Sequence, residues 1–456
     1  MDTETKFIFM GDPQCSRISG KDNDYSQWEG LLRKALSRFD GENALVVLGG
    51  DLVNRADSEA EWTAFFEVVD RIRAEYDVTF VSANGNFSSQ GGYENRADFR
   101  SRFLLPGNGP YGCEDRFYSF DRGCAHFIVL DSHMMGDPDE NAYKYIGAWI
   151  KHDLAKNTRP AVFAVMHHPA YTLGTSFDDD IRGALIRKNY MKLLYRYGVD
   201  LILCGHQHVY CRTGADAQIT QIMGVSGTKF FSSKDEKYMS YIAENVGAAT
   251  LIRANPCTIK AETCDSAGHL IDELTQDVRW PKPRKCGSCV NFSRCGGTGI
   301  VELEEMQAKA KREGLPWERA YTGGLLVDGR QYTDQQLRDL PHVSQKFSLW
   351  RRNRQEHEQI EGIKLTALVP DAKAILAISD DGDRRAFRMS DIKTAYCFGQ
   401  NSEPEAVDAV IYEENGPGSR YRLAFGQRED HQYNGRQWIR HISEIRTFDP
   451  DEWLRY

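Results

Sequence analysis

Residues 197–213 read YGVDLILCGHQHVYCRT, and they contain the pattern that decides the fold. The apolar run at 201–204 is short and lies between Asp and Gly, which is typical of a strand buried on both faces of a sheet. Two histidines follow this run, at positions 206 and 208. Because ligands of layered α/β proteins bind beyond the carboxyl ends of the strands, the polar residues after each such run are candidate site residues.

Five similar apolar runs precede this one and alternate with amphipathic stretches. They lie at residues 7–10, 44–48, 78–83, 126–130 and 161–166. One amphipathic stretch begins with Ser58 and Glu61, which have the spacing of a capping box at a helix start. The alternation of buried strands with amphipathic helices predicts an α/β fold for roughly the first 270 residues.

The residues that follow these runs form a series of Asp, Asn, Gln and His. They are Asp12, Gln14, Asp51, Asn86, His167, His168, His206 and His208. Carboxylate, amide and imidazole groups are ligands of divalent metals. Two such ions about 3.5–4 Å apart activate a water and neutralise phosphoryl charge. The pattern therefore predicts a two-metal site in which the carboxylate of Asp51, in a Gly-Gly-Asp turn, bridges the ions.

The chain resembles the calcineurin-like metallophosphoesterase family, and within it the purple-acid-phosphatase-like bacterial branch. The motifs that carry the resemblance are GDPQ at 11–14, GGDLVN at 49–54, GN at 85–86, MHHPAY at 166–171 and GHQHVY at 205–210. As an ordered set these motifs are specific, although each alone is weak. The resemblance implies a four-layer α/β/β/α metallophosphoesterase sandwich, which we expect for residues 1–278.

The resemblance also implies metal ligands, a cofactor and an activity. Asp12, Gln14 and His208 would hold the first ion, Asp51 would bridge, and Asn86, His167 and His206 would hold the second ion. The two ions would be divalent or trivalent Fe, Mn or Zn. The expected activity is that of a metallophosphoesterase, in which hydroxide bound to the metals hydrolyses a phosphorylated small molecule or another phosphoester. Monoesters and diesters are not distinguished.

Three positions depart from the family pattern. Gln14 stands where the family usually has His, which would weaken the first metal site without abolishing it. Phe87 and Ser88 stand where the family has His and an acidic residue, and that His lies beside the substrate phosphate. Phe87 cannot donate a proton, and general acid catalysis typically contributes about 10²–10⁴-fold. The alternative hypothesis is therefore a catalytically impaired phosphoesterase-fold protein that binds or senses a phosphorylated ligand.

Each candidate also has a simpler structural explanation. Asp12 and Asp51 suit turns and helix caps, and Asn86 after Gly suits a turn. The two histidines of the GHQH motif could be ordinary loop residues. His168 is expected either to contact the substrate or to fill the turn before Pro169. The recurrence of these residues after successive strands favours metal ligands for all but His168.

Beyond residue 278 the character of the chain changes. Residues 279–365 begin with a basic, proline-spaced stretch, and we expect them to form a linker with a cysteine cluster and a helical segment. The polar stretch 331–362 is expected to be helical or partly disordered. Residues 366–456 are expected to form a small α+β or β-rich module of unknown role.

The cysteine cluster has two equally supported interpretations. Cys286, Cys289 and Cys295 supply three thiolates, and a structural zinc ion takes four ligands. The fourth would come from Cys257, Cys264, Cys397 or His269. Free thiols in a tight turn explain the same spacing.

Composition argues against several classes of partner. The 57 Lys and Arg residues and 66 Asp and Glu residues give a net charge of −9, which argues against broad attachment to nucleic acid or anionic membrane. The basic segment KFSLWRRNR at 346–354 is weak evidence that the C-terminal half contacts nucleic acid or protein. No apolar run approaches the roughly 20 residues of a membrane helix. The first residues lack a secretory signal and the 11 cysteines are odd in number, so we expect a cytoplasmic location.

Overall fold

The computed structural model describes most of the chain, and every structural statement below concerns the described residues. These are residues 4–15, 23–39, 43–86, 102–103, 105–235, 237–279, 298–315, 323–351, 354–380, 383–393, 395–399, 403–416, 418–430, 432, 434 and 438–456. The Phe87 and Ser88 position and the cluster of Cys286, Cys289 and Cys295 lie outside them. Among the described helices, none is both long enough and apolar enough to cross a membrane.

The chain divides into two compact units, Met1–Glu318 with Tyr456, and Arg319–Arg455. The strands of the first unit are β1 Thr5–Met10, β2 Ala44–Leu48, β3 Val78–Ser82, β4 Tyr118–Arg122, β5 Ala125–Leu130, β6 Ala161–Met166, β7 Leu201–Cys204, β8 Tyr210–Thr213, β9 Thr220–Met223, β10 Met239–Ala243, β11 Ala248–Ala254, β12 Thr258–Asp265 and β13 Leu270–Asp277. Its helices are α1 Ser26–Leu36, α2 Glu59–Glu75, α3 Ser132–Met135, α4 Glu140–Lys156, α5 Phe177–Ile186, a π-helical turn Arg187–Met191, α6 Lys192–Arg196 and α7 Thr298–Glu313. The six apolar runs singled out in the sequence are all strands.

The described strands of this unit form two mixed sheets. One has the order β13-β12-β11-β1-β2-β3, with β1, β2 and β3 parallel. The other has the order β10-β8-β9-β7-β6-β5-β4, with β5, β6, β7 and β9 parallel. The carboxyl ends of parallel strands lie at one edge of a sheet, so each sheet presents one edge that gathers its loops.

The two sheets pack face to face through an aromatic core. Phe7 of β1 meets Phe127 and Phe163 of the other sheet edge-on, with both centroid distances 4.9 Å. Trp28 of α1 is buried against the outer face of the first sheet, and Trp149 of α4 against the outer face of the second. The four-layer α/β/β/α sandwich implied by the family resemblance is therefore confirmed.

The start of α2 fixes the loop that leaves β2. The side chain of Ser58 accepts a hydrogen bond from the Glu61 backbone, as the sequence predicts for a helix cap. The Glu61 carboxylate does not complete a reciprocal capping box. It accepts instead from the backbone N–H groups of Asn54 and Arg55, at 2.6 and 3.0 Å. The helix start therefore ties down the segment that carries Asp51.

The second unit is built mainly of strands. They are β14 Leu325–Val327, β15 Arg330–Tyr332, β16 His342–Arg351, β17 Arg354–Lys364, β18 Ala374–Ser379, β19 Arg384–Arg388, β20 Ala395–Cys397, β21 Glu405–Val407, β22 Val410–Glu413, β23 Tyr421–Ala424 and β24 Ile442–Phe448. Short helices are α8 Asp334–Arg338, α9 Leu365–Leu368, α10 Met389–Lys393 and α11 Pro450–Leu454. Nine of the described strands form one sheet, and β20 pairs with β21.

The expectation that residues 331–362 are helical or partly disordered is wrong. Most of this stretch is the antiparallel hairpin β16–β17, paired in register from His342 opposite Ile363 to Arg351 opposite Arg354. Its Gln and Glu residues favour helix, but strand pairing overrides this weak local preference. The strands from residue 325 onward therefore belong to the C-terminal sheet and not to a linker.

A buried histidine clamped by two carboxylates links β5 to α4. The Nδ1 atom of His126 lies 2.7 Å from Asp121, and its Nε2 atom lies 2.9 Å from Asp153. Burial lowers the pKa of His126, but the hydrogen bonds and charges of both carboxylates outweigh it and raise the pKa above its ordinary value of 6.5. Folding therefore favours the charged form of His126 relative to the unfolded chain.

We expect replacement of His126 by Gln to remove a pH-dependent part of the stability. A raised folded-state pKa stabilises fully below about pH 6.5, and this contribution is lost as the pH rises through the folded value. The variant should lose on the order of 2 kcal/mol of unfolding free energy at pH 6, after allowance for the partly exposed Asp121. The loss should shrink toward pH 9 in denaturant titrations.

His152, on α4 next to Asp153, is the matched control. Burial lowers the pKa of His152, so the change to Gln should raise low-pH stability instead. Equal losses for His126→Gln at pH 6 and pH 9 would contradict the assigned charge state.

Candidate metal centre

Strand ends from both sheets bring together the seven residues predicted as metal ligands. Four of them, including Gln14, come from the loops after β1, β2 and β3 of one sheet. The other three come from the loops after β6 and β7 of the other sheet. The seven are Asp12, Gln14, Asp51, Asn86, His167, His206 and His208. Their roles as metal ligands stay a prediction, but the fold brings these seven residues together at one place.

Four of these residues form a first group. The Nε2 atom of Gln14 lies 3.0 Å from Oδ2 of Asp51 and 3.1 Å from Nε2 of His208. Nε2 of His208 lies 3.8 Å from Oδ1 of Asp12. All four residues are buried.

The second group shares Asp51 with the first. Oδ1 of Asp51 lies 3.5 Å from Nε2 of His167, which is 2.8 Å from Oδ1 of Asn86. The same amide oxygen lies 3.0 Å from Nδ1 of His206. The two oxygens of Asp51 thus face the two groups separately, which is the placement that a bridging carboxylate requires.

The outward ring nitrogens of His167 and His208 are held by backbone carbonyls. Nδ1 of His167 donates to the oxygen of Gly49 at 2.8 Å, and Nδ1 of His208 donates to the oxygen of Lys229 at 2.9 Å. A neutral imidazole that donates from one nitrogen presents a lone pair on the other. In both residues the nitrogen that would carry this lone pair in the neutral ring is Nε2, which faces the other candidate ligands.

Asp179 holds His206 in a similar way, and no sequence pattern indicates this role. Nε2 of His206 lies 2.7 Å from Oδ1 of Asp179, which leaves Nδ1 directed toward Asn86. Burial raises the pKa of Asp179, but the charge and hydrogen bond of His206 outweigh it and lower the pKa. Asp179 stands in the acidic first turn of α5, where sequence alone indicates only a favourable interaction with the helix dipole.

The electrostatics of the site favour bound positive charge. Burial raises the pKa of Asp12 to about 7, with the negative charge of Asp51 adding to the rise. Burial lowers the pKa of His167, but the Asp51 carboxylate outweighs it and the pKa rises to about 9. Two buried carboxylates that repel each other are stabilised by a cation between them.

The donor set fits metal ions. Oδ1 of Asp12 and Oε1 of Gln14 are buried, and neither accepts a hydrogen bond from any described residue. One ligand atom from each of Asp12, Asp51 and His167 lies within 4.8 Å of the other two. Buried oxygens normally have partners, and a metal ion would satisfy both of these orphaned atoms.

The backbone of the site is held in a sparsely populated conformation. Four of the candidate ligands have positive φ: Asp12 at 36°, Asp51 at 49°, His206 at 78° and His208 at 50°. Non-glycine residues adopt this region at a cost that the surrounding structure must offset, and such positions cluster at functional sites. A side chain at Gly205 would overlap the carboxylate of Asp12, so only glycine fits there.

Two further polar residues near the site, His168 and Arg55, are not among the predicted metal ligands. Nδ1 of His168 is 2.9 Å from the Ser132 hydroxyl at the start of α3, and its ring packs 4.2 Å from that of His206. Burial, reinforced by the charge of His206, holds the pKa of His168 well below its ordinary value. Arg55 is exposed and pairs with Asp57 at 2.9 Å. Contact of His168 with substrate stays a prediction.

Comparison with known proteins matches the part of the chain that carries this arrangement to a known family. Residues 5–210 match the profile of the family described as calcineurin-like phosphoesterase. The chain is 27% identical over 161 residues to purple acid phosphatase 23 of Arabidopsis thaliana, a match that covers 35% of this chain and 34% of that protein. It is also 27% identical over 163 residues to acid phosphatase type 7 of Homo sapiens, covering 32% and 35%.

Among solved structures, the chain overlaps purple acid phosphatase PPD1 from yellow lupin (Lupinus luteus) with a TM-score of 0.49 and 16% identity. That overlap covers 60% of this chain and 54% of the lupin chain. The matched part spans only about a third of the length of the two curated relatives. On the profile match and the curated relatives, residues 5–210 of this chain resemble the calcineurin-like phosphoesterase family.

Proposed function

We propose that the chain is a metal-dependent phosphoesterase that hydrolyses a phosphate ester at a dinuclear centre. Asp12, Gln14, Asp51 and His208 would hold one ion, and Asp51, Asn86, His167 and His206 the other. One observation carries the proposal: three imidazoles each donate outward from one ring nitrogen to a protein acceptor, and the other ring nitrogen of each faces the remaining candidate ligands. Such outer hydrogen bonds are typical of metal-ligating histidines.

The residues of the chain prepare this site for the reaction. Bound Fe, Mn or Zn ions would polarise the phosphoester and lower the pKa of a water molecule. Asp51 sets the spacing between the two ligand groups through its two oxygens. Asp179 keeps His206 in the tautomer that ligation requires. Burial of Asp12 and Asp51 excludes bulk water and strengthens their interaction with positive charge.

Replacement of Asp51 by Asn should remove the shared ligand. We expect metal content to fall from two equivalents toward one or none, and hydrolysis of an aryl phosphate with Mn²⁺ to fall by at least about 100-fold, because a metal ion contributes several kcal/mol to the transition state. Elemental analysis and turnover of the purified protein measure both effects.

Asp57, six residues further on, provides the matched control. It is exposed and pairs with Arg55, so Asp57→Asn should leave metal content and turnover unchanged. An Asp51→Asn protein that keeps two metals and full turnover would remove the proposed function.

Replacement of Asp179 by Ala should loosen His206 without removing a ligand. We expect metal affinity to fall by about 10–100-fold, the usual effect of losing an outer hydrogen bond to a ligating histidine. Competition with a chelator measures this affinity directly. Asp178→Ala is the control, because Asp178 lies on the same helix and pairs with Arg182. Equal affinities in the two variants would show that Asp179 does not position His206.

The position of Phe87 and Ser88 tests whether the site is catalytically weakened. The double change Phe87→His with Ser88→Asp should raise turnover of an alkyl phosphate by about 100-fold or more, because it restores a general acid for a poor leaving group. Turnover of a nitrophenyl phosphate should change less, since its leaving group needs little protonation. No gain on the alkyl ester would indicate a site that already protonates its leaving group by another route.

The alternative function is binding without turnover. A protein that binds metals and inorganic phosphate, but hydrolyses neither aryl nor alkyl phosphate until the double change is made, would be the phosphorylated-ligand sensor that the sequence suggests.

A further inference from the structure

The segment 226–231, between β9 and β10, is tied to the backbone beside the first ligand group. We call it the rim segment. The Ser226 hydroxyl donates to the carbonyl of residue 11 at 2.5 Å, and the Gly227 N–H donates to the carbonyl of residue 12 at 2.9 Å. These bonds fix the position of the rim segment relative to the site.

The far end of the rim segment is bonded to His208. The carbonyl of Lys229 accepts from Nδ1 of His208, and the N–H of Phe231 donates to the carbonyl of His208 at 3.3 Å. Both bonds use the backbone of the rim segment. The side chains of Lys229 and Phe231 are therefore not needed to hold His208.

Those two side chains place a cation and an exposed ring beside the candidate metal ligands. The ring of Phe231 lies 5.0 Å from that of His208 and is 43% exposed. Nζ of Lys229 lies 5.4 Å from the centre of the Phe231 ring.

A neighbouring pair shows what an ordinary surface arrangement looks like. Nζ of Lys237 lies 5.0 Å from the ring centre of Tyr238. Tyr238 packs on Tyr171 at 5.0 Å, against the core of the second sheet. Phe231 differs because the described ring next to it belongs to a candidate metal ligand and much of its own surface faces solvent.

We propose that Lys229 and Phe231 form the substrate subsite of this phosphoesterase, selecting phosphate esters of aromatic alcohols. The inference rests on the proposed function. The ammonium would bind phosphoryl oxygens, which carry negative charge that the acidic ligands alone would repel. The ring would stack on a flat leaving group, and the few ångströms between ring, ammonium and His208 suit a ring attached directly to the ester oxygen.

The test uses two phosphonates that cannot be hydrolysed, so binding is measured without turnover. Calorimetry of the full chain loaded with Mn²⁺ should give tighter binding of phenylphosphonate than of cyclohexylphosphonate, by about 2–10-fold. In Phe231→Leu this preference should disappear. In Lys229→Met both ligands should bind about ten-fold more weakly, with the preference kept, and Lys229→Arg should restore most of the affinity.

Lys237→Met is the control, because it removes a lysine of the same connection that pairs with a core tyrosine. It should bind both phosphonates as the unmodified chain does. Metal content of every variant is measured alongside, and it should not change, since the backbone bonds to His208 remain.

The inference is overturned if Phe231→Leu keeps the preference for phenylphosphonate, or if Lys229→Met binds no more weakly than Lys237→Met. Both results leave the proposed function standing when the chain still holds metal and hydrolyses aryl phosphate. A chain that holds no metal and binds neither phosphonate would instead remove the proposed function, and this inference with it.

Discussion

Two carboxylates are buried at the junction of two sheets, and the rest of the N-terminal unit is organised around them. Asp12 and Asp51 are fully shielded from solvent, where an unpaired negative charge is strongly unfavourable. These carboxylates are surrounded by imidazoles, amide groups and backbone donors from the loops after five strands. Because β1 and β2 belong to one sheet and β6 and β7 to the other, the site depends on the packing of the two sheets, in which Phe7 meets Phe127 and Phe163 edge-on.

The alternating runs of the sequence predict an α/β fold and the list of converging residues, whereas the four-layer sandwich was implied by the family resemblance. Short apolar runs followed by Asp, Asn or His are local features. The runs predict strands, so the polar residues after them are assigned to strand ends without any knowledge of contacts. The contacts of the site were harder to predict where the two partners are far apart in the sequence. Asp179 and Lys229 are 27 and 21 residues from the histidines that they hold. Helix caps and surface lysines have the same local appearance, so only the folded arrangement distinguishes them.

The second unit shows the opposite limit of sequence analysis. The hairpin β16–β17 consists largely of Gln, Glu, Ser and Arg, which mark a solvated helix as readily as a strand. Four of its apolar side chains, Phe347, Leu349, Ile360 and Ile363, are buried in the core of that unit, and their spacing does not define one period. Polar strands of this kind are recognised from their partners and not from their own sequence.

The positive φ values of Asp12, Asp51, His206 and His208 set backbone preference against side-chain chemistry at the same four positions. The backbone alone would prefer glycine or asparagine there, which reach this conformation with less strain. A descendant released from selection for catalysis would therefore gain stability by drifting toward those two residues. If such replacements appeared together in related chains, they would identify chains that keep the fold but have lost the proposed metal site.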